Sequence, residues 1–129
     1  MVGDKVSNLI IGIKNASLVK KDKTEVVATK MNEAILQLLV DENFIDSFEV
    51  RSKDRKILVN LKYDKNNKSA INDVKRISKL SKRVYGAAKE FHSVKNGHGL
   101  LVVSTPLGII SGKKAQEENV GGELMFEIW

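Results

Sequence analysis

Two small hydroxyl side chains end an apolar run in the last third of the chain. Ser104 and Thr105 follow the apolar residues 100–103, and a double glycine precedes Glu123 at the start of a final apolar run. Hydroxyl groups donate and accept hydrogen bonds and a carboxylate accepts them, so these three side chains suit recognition of polar groups on a ligand. Each also has an ordinary interpretation, as a turn-forming hydroxyl or a surface acid. If the strand that begins at Gly108 pairs with the final strand, the three side chains meet.

A long basic stretch lies around these residues. Residues 74–115 contain nine Lys or Arg and one acid, Glu90, whereas the whole chain has a formal net charge of +6. Within the run Lys75–Arg83, five cations are interrupted by Ile77 and Leu80 at core-like positions. Ordinary solvated surfaces mix both signs of charge, so this run favours phosphate contact over a merely solubilising surface. We expect phosphate contacts from Lys79, Lys82, Arg83, Lys113 and Lys114.

Tyr85 follows the basic run directly, and its ring either stacks on a base or packs in the core. In this positive field Glu123 can accept from a base amine or a ribose hydroxyl, or can orient the neighbouring cations. In complexes with nucleic acids, phosphate contacts hold the polymer, and small polar groups read the shape of RNA. The combination indicates that the partner is RNA.

The sequence gives little support for catalysis. The chain has no cysteine, which excludes disulfides, thiolate zinc sites and cysteine nucleophiles. His92 and His98 lack the spacing of a zinc site, and Gly97-His98-Gly99 is not followed by the rest of a dinucleotide fingerprint. We therefore expect no enzymatic activity, no cofactor, no bound metal and no small-molecule substrate.

The longest apolar runs, such as residues 100–103, are too short to span a membrane. The N-terminus also lacks the basic region and apolar block of a secretion signal. We expect a cytoplasmic protein without a membrane partner.

The first half of the chain predicts two helices and three strands. Apolar residues at helical spacing predict a helix over 4–16 with Asp4 near its cap, and a second helix capped by Thr29 that runs through Val40. The apolar face of the second helix carries Met31, Ala34, Ile35, Leu38 and Leu39.

Strands are predicted over 24–28, 44–51 and 56–63, and the last shows the clearest alternation. Phe48 and Val50 are expected on one face of the second strand. Helix, strand, helix, strand, strand is a small α/β half with its own core.

The polar segment 64–69 is the predicted boundary between an N-terminal α/β domain, 1–65, and a mainly β RNA-binding domain, 70–129. Beyond it, residues 71–77 fit either a helix or an irregular strand, and residues 86–96 a loop or a short helical turn. Strands are predicted over 83–85, 99–105 and 108–111, a short helix capped by Ser111 over 112–119, and a last strand after the double glycine. The expected fold class is α+β, with the first half packed against the second.

These residues resemble the ribosomal small-subunit protein S-eight family in its bacterial and organellar form, over nearly the whole chain. The most specific matches are Val103-Ser104-Thr105, Gly108-Ile109-Ile110, Ala115 and Val120-Gly121-Gly122-Glu123. Weaker matches are Asp4, Lys14-Asn15-Ala16, Lys30 and Arg83-Val84-Tyr85.

The resemblance implies a two-domain fold and a primary binder of the central domain of small-subunit rRNA that organises the platform of the subunit. It implies contacts with ribosomal proteins S-five and S-twelve. By position, Ser104 and Thr105 match the residues that grip an unpaired adenine, and Glu123 matches the carboxylate beside them. Arg83 and Tyr85 match a neighbouring RNA-facing segment. A second contact from the N-terminal half falls on Lys14, Asn15 and Lys30.

The chain departs from the family pattern at two places. Pro106 and Leu107 replace a third hydroxyl and a lysine, so one hydroxyl donor and one phosphate contact are missing. Proline fixes φ and stiffens the turn, but it cannot donate a hydrogen bond. Ile11-Gly12 replaces a basic threonine-arginine pair, which weakens the expected N-terminal contact. Lys113 and Lys114 are expected to compensate electrostatically.

The sequence therefore predicts a structural component of the small ribosomal subunit, in the cytoplasm or in an organellar matrix or stroma. A free-standing regulator that controls translation of a messenger through the same surface is the alternative. A protein–protein adaptor with an incidental basic face is more distant. Stoichiometric co-sedimentation with ribosomal particles distinguishes the first from the second, and a steep salt dependence of RNA binding distinguishes it from the third.

Overall fold

The structure is a computed structural model that describes residues 4–129. The described residues form two compact units, one ending at Asn72 and the other running from Asp73 to Trp129. The first unit combines two helices with one antiparallel sheet, and strands dominate the second, so the predicted α+β class is confirmed.

The N-terminal unit contains α1 (Lys5–Leu18), β1 (Lys23–Val27), α2 (Lys30–Asp41), β2 (Ile45–Arg51) and β3 (Lys56–Leu61). This is the predicted order of helix, strand, helix, strand and strand.

The first helix begins at Asp4, as predicted. An Asp4 carboxylate oxygen accepts hydrogen bonds from the backbone N–H groups of Val6 and Ser7, at 3.1 and 3.3 Å. These bonds satisfy donors that the first turn of a helix leaves unpaired. The helix runs to Leu18 instead of ending at residue 16, because Ala16 and Ser17 are buried and continue its inward face.

Thr29 caps α2, since its hydroxyl oxygen accepts from the N–H of Asn32 at 3.0 Å. The inward face of α2 differs in part from the prediction. Its buried residues are Asn32, Ile35, Leu36 and Leu39. Met31 is 46% exposed, so its predicted place on the apolar face is wrong. The Asn32 side chain donates to the carbonyl of Val27 at 2.8 Å, which accounts for a polar residue in this inward position.

The three strands of the N-terminal unit form an antiparallel sheet in the order β1-β3-β2. The alternation predicted for β3 is confirmed, because Ile57, Val59 and Leu61 are buried. Phe48 lies opposite Val59 and Val50 lies opposite Ile57, so the two residues share one face of β2, as predicted, although Phe48 is half-buried and Val50 is exposed. Val50 lies near the end of an edge strand, where packing cover is incomplete.

The C-terminal unit contains β4 (Val74–Arg76), β5 (Tyr85–Gly86), β6 (Leu100–Thr105), β7 (Gly108–Ser111), α3 (Gly112–Glu117) and β8 (Gly122–Ile128). Two 3₁₀ turns lie between β5 and β6, over Ala88–Glu90 and Lys95–Gly97. The segment that fitted either a helix or a strand is therefore a strand, β4. The strand predicted over 83–85 begins at Tyr85, so Arg83 precedes it.

The sheet of the C-terminal unit has the order β4-β8-β6-β7, and β5 also pairs with β8. The hypothesis that the Gly108 strand pairs with the final strand is wrong, because β7 and β8 pair with opposite edges of β6. The short helix α3 contacts β6 and the 3₁₀ turn Ala88–Glu90. The core cluster of this unit consists of Phe91, Val94, Leu101, Val103, Ala115 and Leu124.

Candidate nucleic-acid interface

A row of three side chains crosses the C-terminal sheet near the end of β6 and the start of β8. Tyr85 of β5 lies opposite Glu123 of β8, and Glu123 lies opposite Ser104 of β6. Directly opposite residues in antiparallel strands project from the same face. Tyr85 is 69% exposed, which decides against packing in the core of the unit. The central β6 therefore brings Ser104 and Glu123 together without any pairing between β7 and β8.

The double glycine lets the strands at this row approach closely. A methyl group on Gly122 would overlap the carbonyl oxygen of Ser104, and one on Gly121 would lie 2.7 Å from the carbonyl oxygen of Gly86. A side chain at either position would push backbone away from backbone. The close approach of β6 and β8 beside Ser104 therefore requires glycine at position 122.

The two hydroxyls of the predicted pocket have different roles. Thr105 donates its hydroxyl proton to the carbonyl of Gly108 at 2.9 Å and accepts from the N–H of Leu107 at 3.1 Å. These bonds close the β6–β7 turn, in which Pro106 follows Thr105 and Gly108 has φ of 116°. The hydroxyl proton of Thr105 is thus already used in a hydrogen bond within the protein, and this residue stabilises the turn.

Ser104 is half-buried, and its hydroxyl has no hydrogen-bond partner among residues 4–129. Its proton and its lone pairs remain available to a ligand. Of the two predicted hydroxyls, Ser104 is the better placed donor.

Glu123 is bonded inside the protein. One carboxylate oxygen accepts a short hydrogen bond from the hydroxyl of Ser78 and another, of 3.0 Å, from the Arg83 guanidinium. Ser78 is fully buried, and its oxygen also accepts from the N–H of Val84 at 3.1 Å. Of the two expected roles of Glu123, the structure supports orientation of a neighbouring cation. The role of Ser78 could not be predicted from the sequence, where it is one small polar residue in a basic run.

Burial raises the pKa of Glu123, whereas hydrogen bonds from Ser78 and Arg83 and the positive charges of Arg83 and Arg76 lower it. The lowering effects are larger in sum, so the pKa lies below its ordinary value of 4.5. Glu123 is therefore ionised at neutral pH and forms an ion pair with Arg83.

This shift predicts a pH dependence of stability. A lowered pKa in the folded state stabilises the protein above the unfolded pKa, and that contribution is lost as pH falls through the folded value. We expect the free energy of unfolding to fall more steeply between about pH 6 and about pH 3 in the wild type than in Glu123→Gln. Urea unfolding of both proteins across this range measures the difference. Parallel curves would show that the ionised carboxylate adds no stability.

A basic hairpin precedes β5. The backbone N–H and C=O groups of Lys79 and Lys82 bond reciprocally, at 2.9 and 3.1 Å, around a two-residue turn. Both lysines are exposed. Leu80 is 57% exposed at the tip of this turn, so its predicted core-like position is wrong, whereas Ile77 is partly buried.

A groove of about 410 Å³ runs beside the basic hairpin. Ile77, Val84 and Leu124 form its apolar part. Four cations also line it: Lys75, Arg76, Lys79 and Lys82. At this groove His92 Nε2 lies 2.6 Å from a carboxylate oxygen of Glu127. A concave surface with this excess of positive charge suits a phosphate backbone.

The other predicted contacts are exposed or half-buried on helices. Lys113 and Lys114 lie in the first turn of α3, where Lys114 forms an ion pair of 3.1 Å with Glu118. Lys14 is half-buried and Asn15 exposed on α1, and Lys30 is exposed at the start of α2. These last three belong to the N-terminal unit, so the structure does not assign them to the Tyr85–Glu123–Ser104 row.

Comparison with known proteins identifies the family. The family described as Ribosomal protein S8 matches residues 4–129. The chain belongs to this family. The small ribosomal subunit protein uS8 of Campylobacter jejuni is 39% identical to it, that of Helicobacter pylori 38% and that of Campylobacter hominis 36%, each over the full length of both chains.

The resemblance deduced from the C-terminal motifs is thereby confirmed. A member of the S8 family is a ribosomal protein, a component of a ribonucleoprotein that acts in translation, and a structural protein rather than an enzyme. Within the described range, no group of three or more His, Cys, Asp or Glu side chains is arranged to hold a metal ion. None of the helices described over residues 4–129 is long and apolar enough to cross a membrane.

Proposed function

We propose that this protein binds the central domain of the small-subunit ribosomal RNA directly and helps to organise the platform of the subunit. Ribosomal proteins S-five and S-twelve are its proposed neighbours, and the cytoplasm or an organellar compartment is its proposed location. The observation that carries the proposal is the Tyr85–Glu123–Ser104 row, which has an open hydroxyl at one end and an exposed ring at the other.

The row suits an unpaired base of an irregular RNA helix. The half-buried Ser104 hydroxyl can bond a polar group on the edge of the base. Tyr85 offers an exposed ring on which a base stacks. Thr105 contributes by fixing the turn next to Ser104.

Electrostatic contacts hold the RNA against this row. Glu123 orients the Arg83 guanidinium, and the Lys79–Lys82 hairpin adds two exposed cations. Phosphates bind such charges without regard to base sequence, whereas Ser104 and Tyr85 respond to the shape of the RNA. Lys113, Lys114, Lys14, Asn15 and Lys30 are proposed as additional contacts.

The decisive test removes the open hydroxyl. We expect Ser104→Ala to weaken binding to an irregular helix of the central domain about tenfold, because a buried RNA group loses its partner at a cost of about 1–3 kcal/mol. The free energy of unfolding should stay the same, since this hydroxyl bonds nothing among the described residues. Thr105→Val is the comparison, and it should lower stability because it opens the turn.

Two further conditions sharpen the test. The loss of RNA affinity caused by Ser104→Ala should barely change with salt, because a contact of an uncharged hydroxyl releases no counterion. It should disappear on an uninterrupted RNA helix, which offers no unpaired base. Equal affinities of wild type and Ser104→Ala for the irregular RNA would remove the row from the binding site. Sedimentation of the wild type with small subunits in equal amounts would support a ribosomal constituent over a free-standing regulator.

A further inference from the structure

A groove of about 210 Å³ lies between α1 and β1 in the N-terminal unit. Lys5, Leu9 and Gly12 line it from the helix, and Val26 and Val27 line it from the strand. Sites for drug-sized ligands have volumes of roughly 300–1,000 Å³, so this groove suits a single side chain of a larger partner. None of the proposed RNA contacts lines it.

Gly12 opens this groove in the middle of α1. A Cβ atom at Gly12 would meet no heavy atom of the described residues within 4 Å, so close packing among them does not require a glycine there. Glycine inside a helix costs about 0.5–1 kcal/mol relative to alanine. The helix therefore contains a weakening residue at a position where space is left free.

The strand that faces this space has an unpaired edge. Among residues 4–129, β1 pairs only with β3, on one of its two edges. The bonds from Leu61 N–H to the carbonyl of Asp22 and from Ala28 N–H to the carbonyl of Arg55 show that even-numbered residues of β1 bond towards β3. Backbone groups alternate in direction along an antiparallel strand, so those of Glu25 point to the outer edge.

Asn32 provides a second sign of a missing partner. The residue is only 3% exposed, and it lines the groove. The side-chain N–H group donates to Val27, but the side-chain oxygen has no hydrogen-bond partner among the described residues. An unpaired buried acceptor costs about 1–3 kcal/mol, which a donated N–H would recover.

The charges around the groove define the chemistry of the partner. Lys5 and Lys56 both line it. The carboxylate of Glu25, which also lines it, is already paired with Arg51 of β2, the other edge strand of the sheet. Two cations without an uncompensated acid favour a negatively charged occupant.

We propose that the outer edge of β1 binds an extended, acidic peptide segment of a partner protein. The peptide adds a strand beside β1 and bonds the N–H and C=O groups of Glu25. One apolar side chain fills the space over Gly12, a peptide N–H bonds the free oxygen of Asn32, and acidic side chains lie near Lys5 and Lys56.

The test uses the full chain and a panel of blocked hexapeptides in which Glu alternates with Val, Leu or Ile. At least one peptide should bind and slow hydrogen exchange of the Glu25 amide. Gly12→Leu should weaken this binding about tenfold, because the leucine occupies the space of the peptide side chain. Gln37→Leu adds the same side chain at an exposed position of α2 and should leave the affinity unchanged.

Further probes separate the contributions of backbone and charge. A central proline in the best peptide should abolish binding, since it removes an N–H donor. Peptides with Lys in place of Glu should bind at least about tenfold more weakly. The proposal is overturned if no peptide of the panel protects the Glu25 amide, or if Gly12→Leu binds like the wild type. It is also overturned if no peptide protects this amide but a single-stranded RNA oligonucleotide does, and Gly12→Leu weakens the binding of that RNA.

Discussion

Lys79→Glu combined with Lys82→Glu should lower the affinity for the central-domain RNA about a hundredfold at moderate salt, because two phosphate contacts become repulsive. Both side chains are exposed at a hairpin that the backbone closes by itself, so the fold should survive. The slope of log affinity against log salt should become flatter by about 1.4–1.8, that is about 0.7–0.9 for each lost contact. Binding titrations at four salt concentrations measure both quantities.

The matched control keeps the change in net charge and moves it elsewhere. Lys53→Glu combined with Lys65→Glu reverses two exposed lysines of the N-terminal unit that belong to neither proposed site. If this control flattens the slope equally, the effect reports overall charge and the hairpin makes no specific contact. Arg83 is left intact in both variants, since its loss would also release Glu123.

Gly122→Ala should reduce the free energy of unfolding by about 1–3 kcal/mol, the range for substitutions that force packed groups apart. The added methyl group would overlap the carbonyl oxygen of Ser104, and that oxygen belongs to backbone that cannot rotate away. β6 and β8 must then separate where Ser104 and Glu123 lie opposite each other. RNA binding should therefore fall further than in Ser104→Ala, because the whole row is displaced.

Gly12→Ala is the matched control, since the same methyl group meets nothing within 4 Å on α1. It should stabilise the protein by about 0.5–1 kcal/mol through the better helix propensity of alanine. Urea unfolding of the two variants gives the comparison. Similar stabilities for both would mean that the close approach at Gly122 can relax without cost.

Local patterns predicted most of the elements because their causes lie within a few residues. Asp4, Thr29 and Ser111 cap the three helices through bonds to backbone groups two or three residues away. The alternation in β3 directly reflects burial of one face. The prediction for Met31 was wrong because Asn32 faces inward instead. Its orientation depends on a hydrogen bond to a carbonyl in β1, which the spacing of apolar residues along the helix does not reveal.

Long-range pairing limited what the sequence could predict about the site. The proximity of Ser104 and Glu123 was expected, but from a pairing of β7 with β8 that the sheet does not have. Strand order depends on contacts across the whole unit, so it leaves no local pattern. Ser78 was missed for the same reason, since it bonds Glu123 across 45 residues of sequence.

The position of β8 has a consequence for protein synthesis. This strand pairs with β4, β5 and β6, although all three precede it in the chain. A chain emerging from N- to C-terminus can complete its first unit early, at an elongation rate of about 5–20 residues per second. The RNA-binding row cannot assemble until residues 122–128 have been released, because Glu123 lies between Tyr85 and Ser104. A nascent chain stalled before this strand would therefore be unable to capture RNA at the row while it is still being translated.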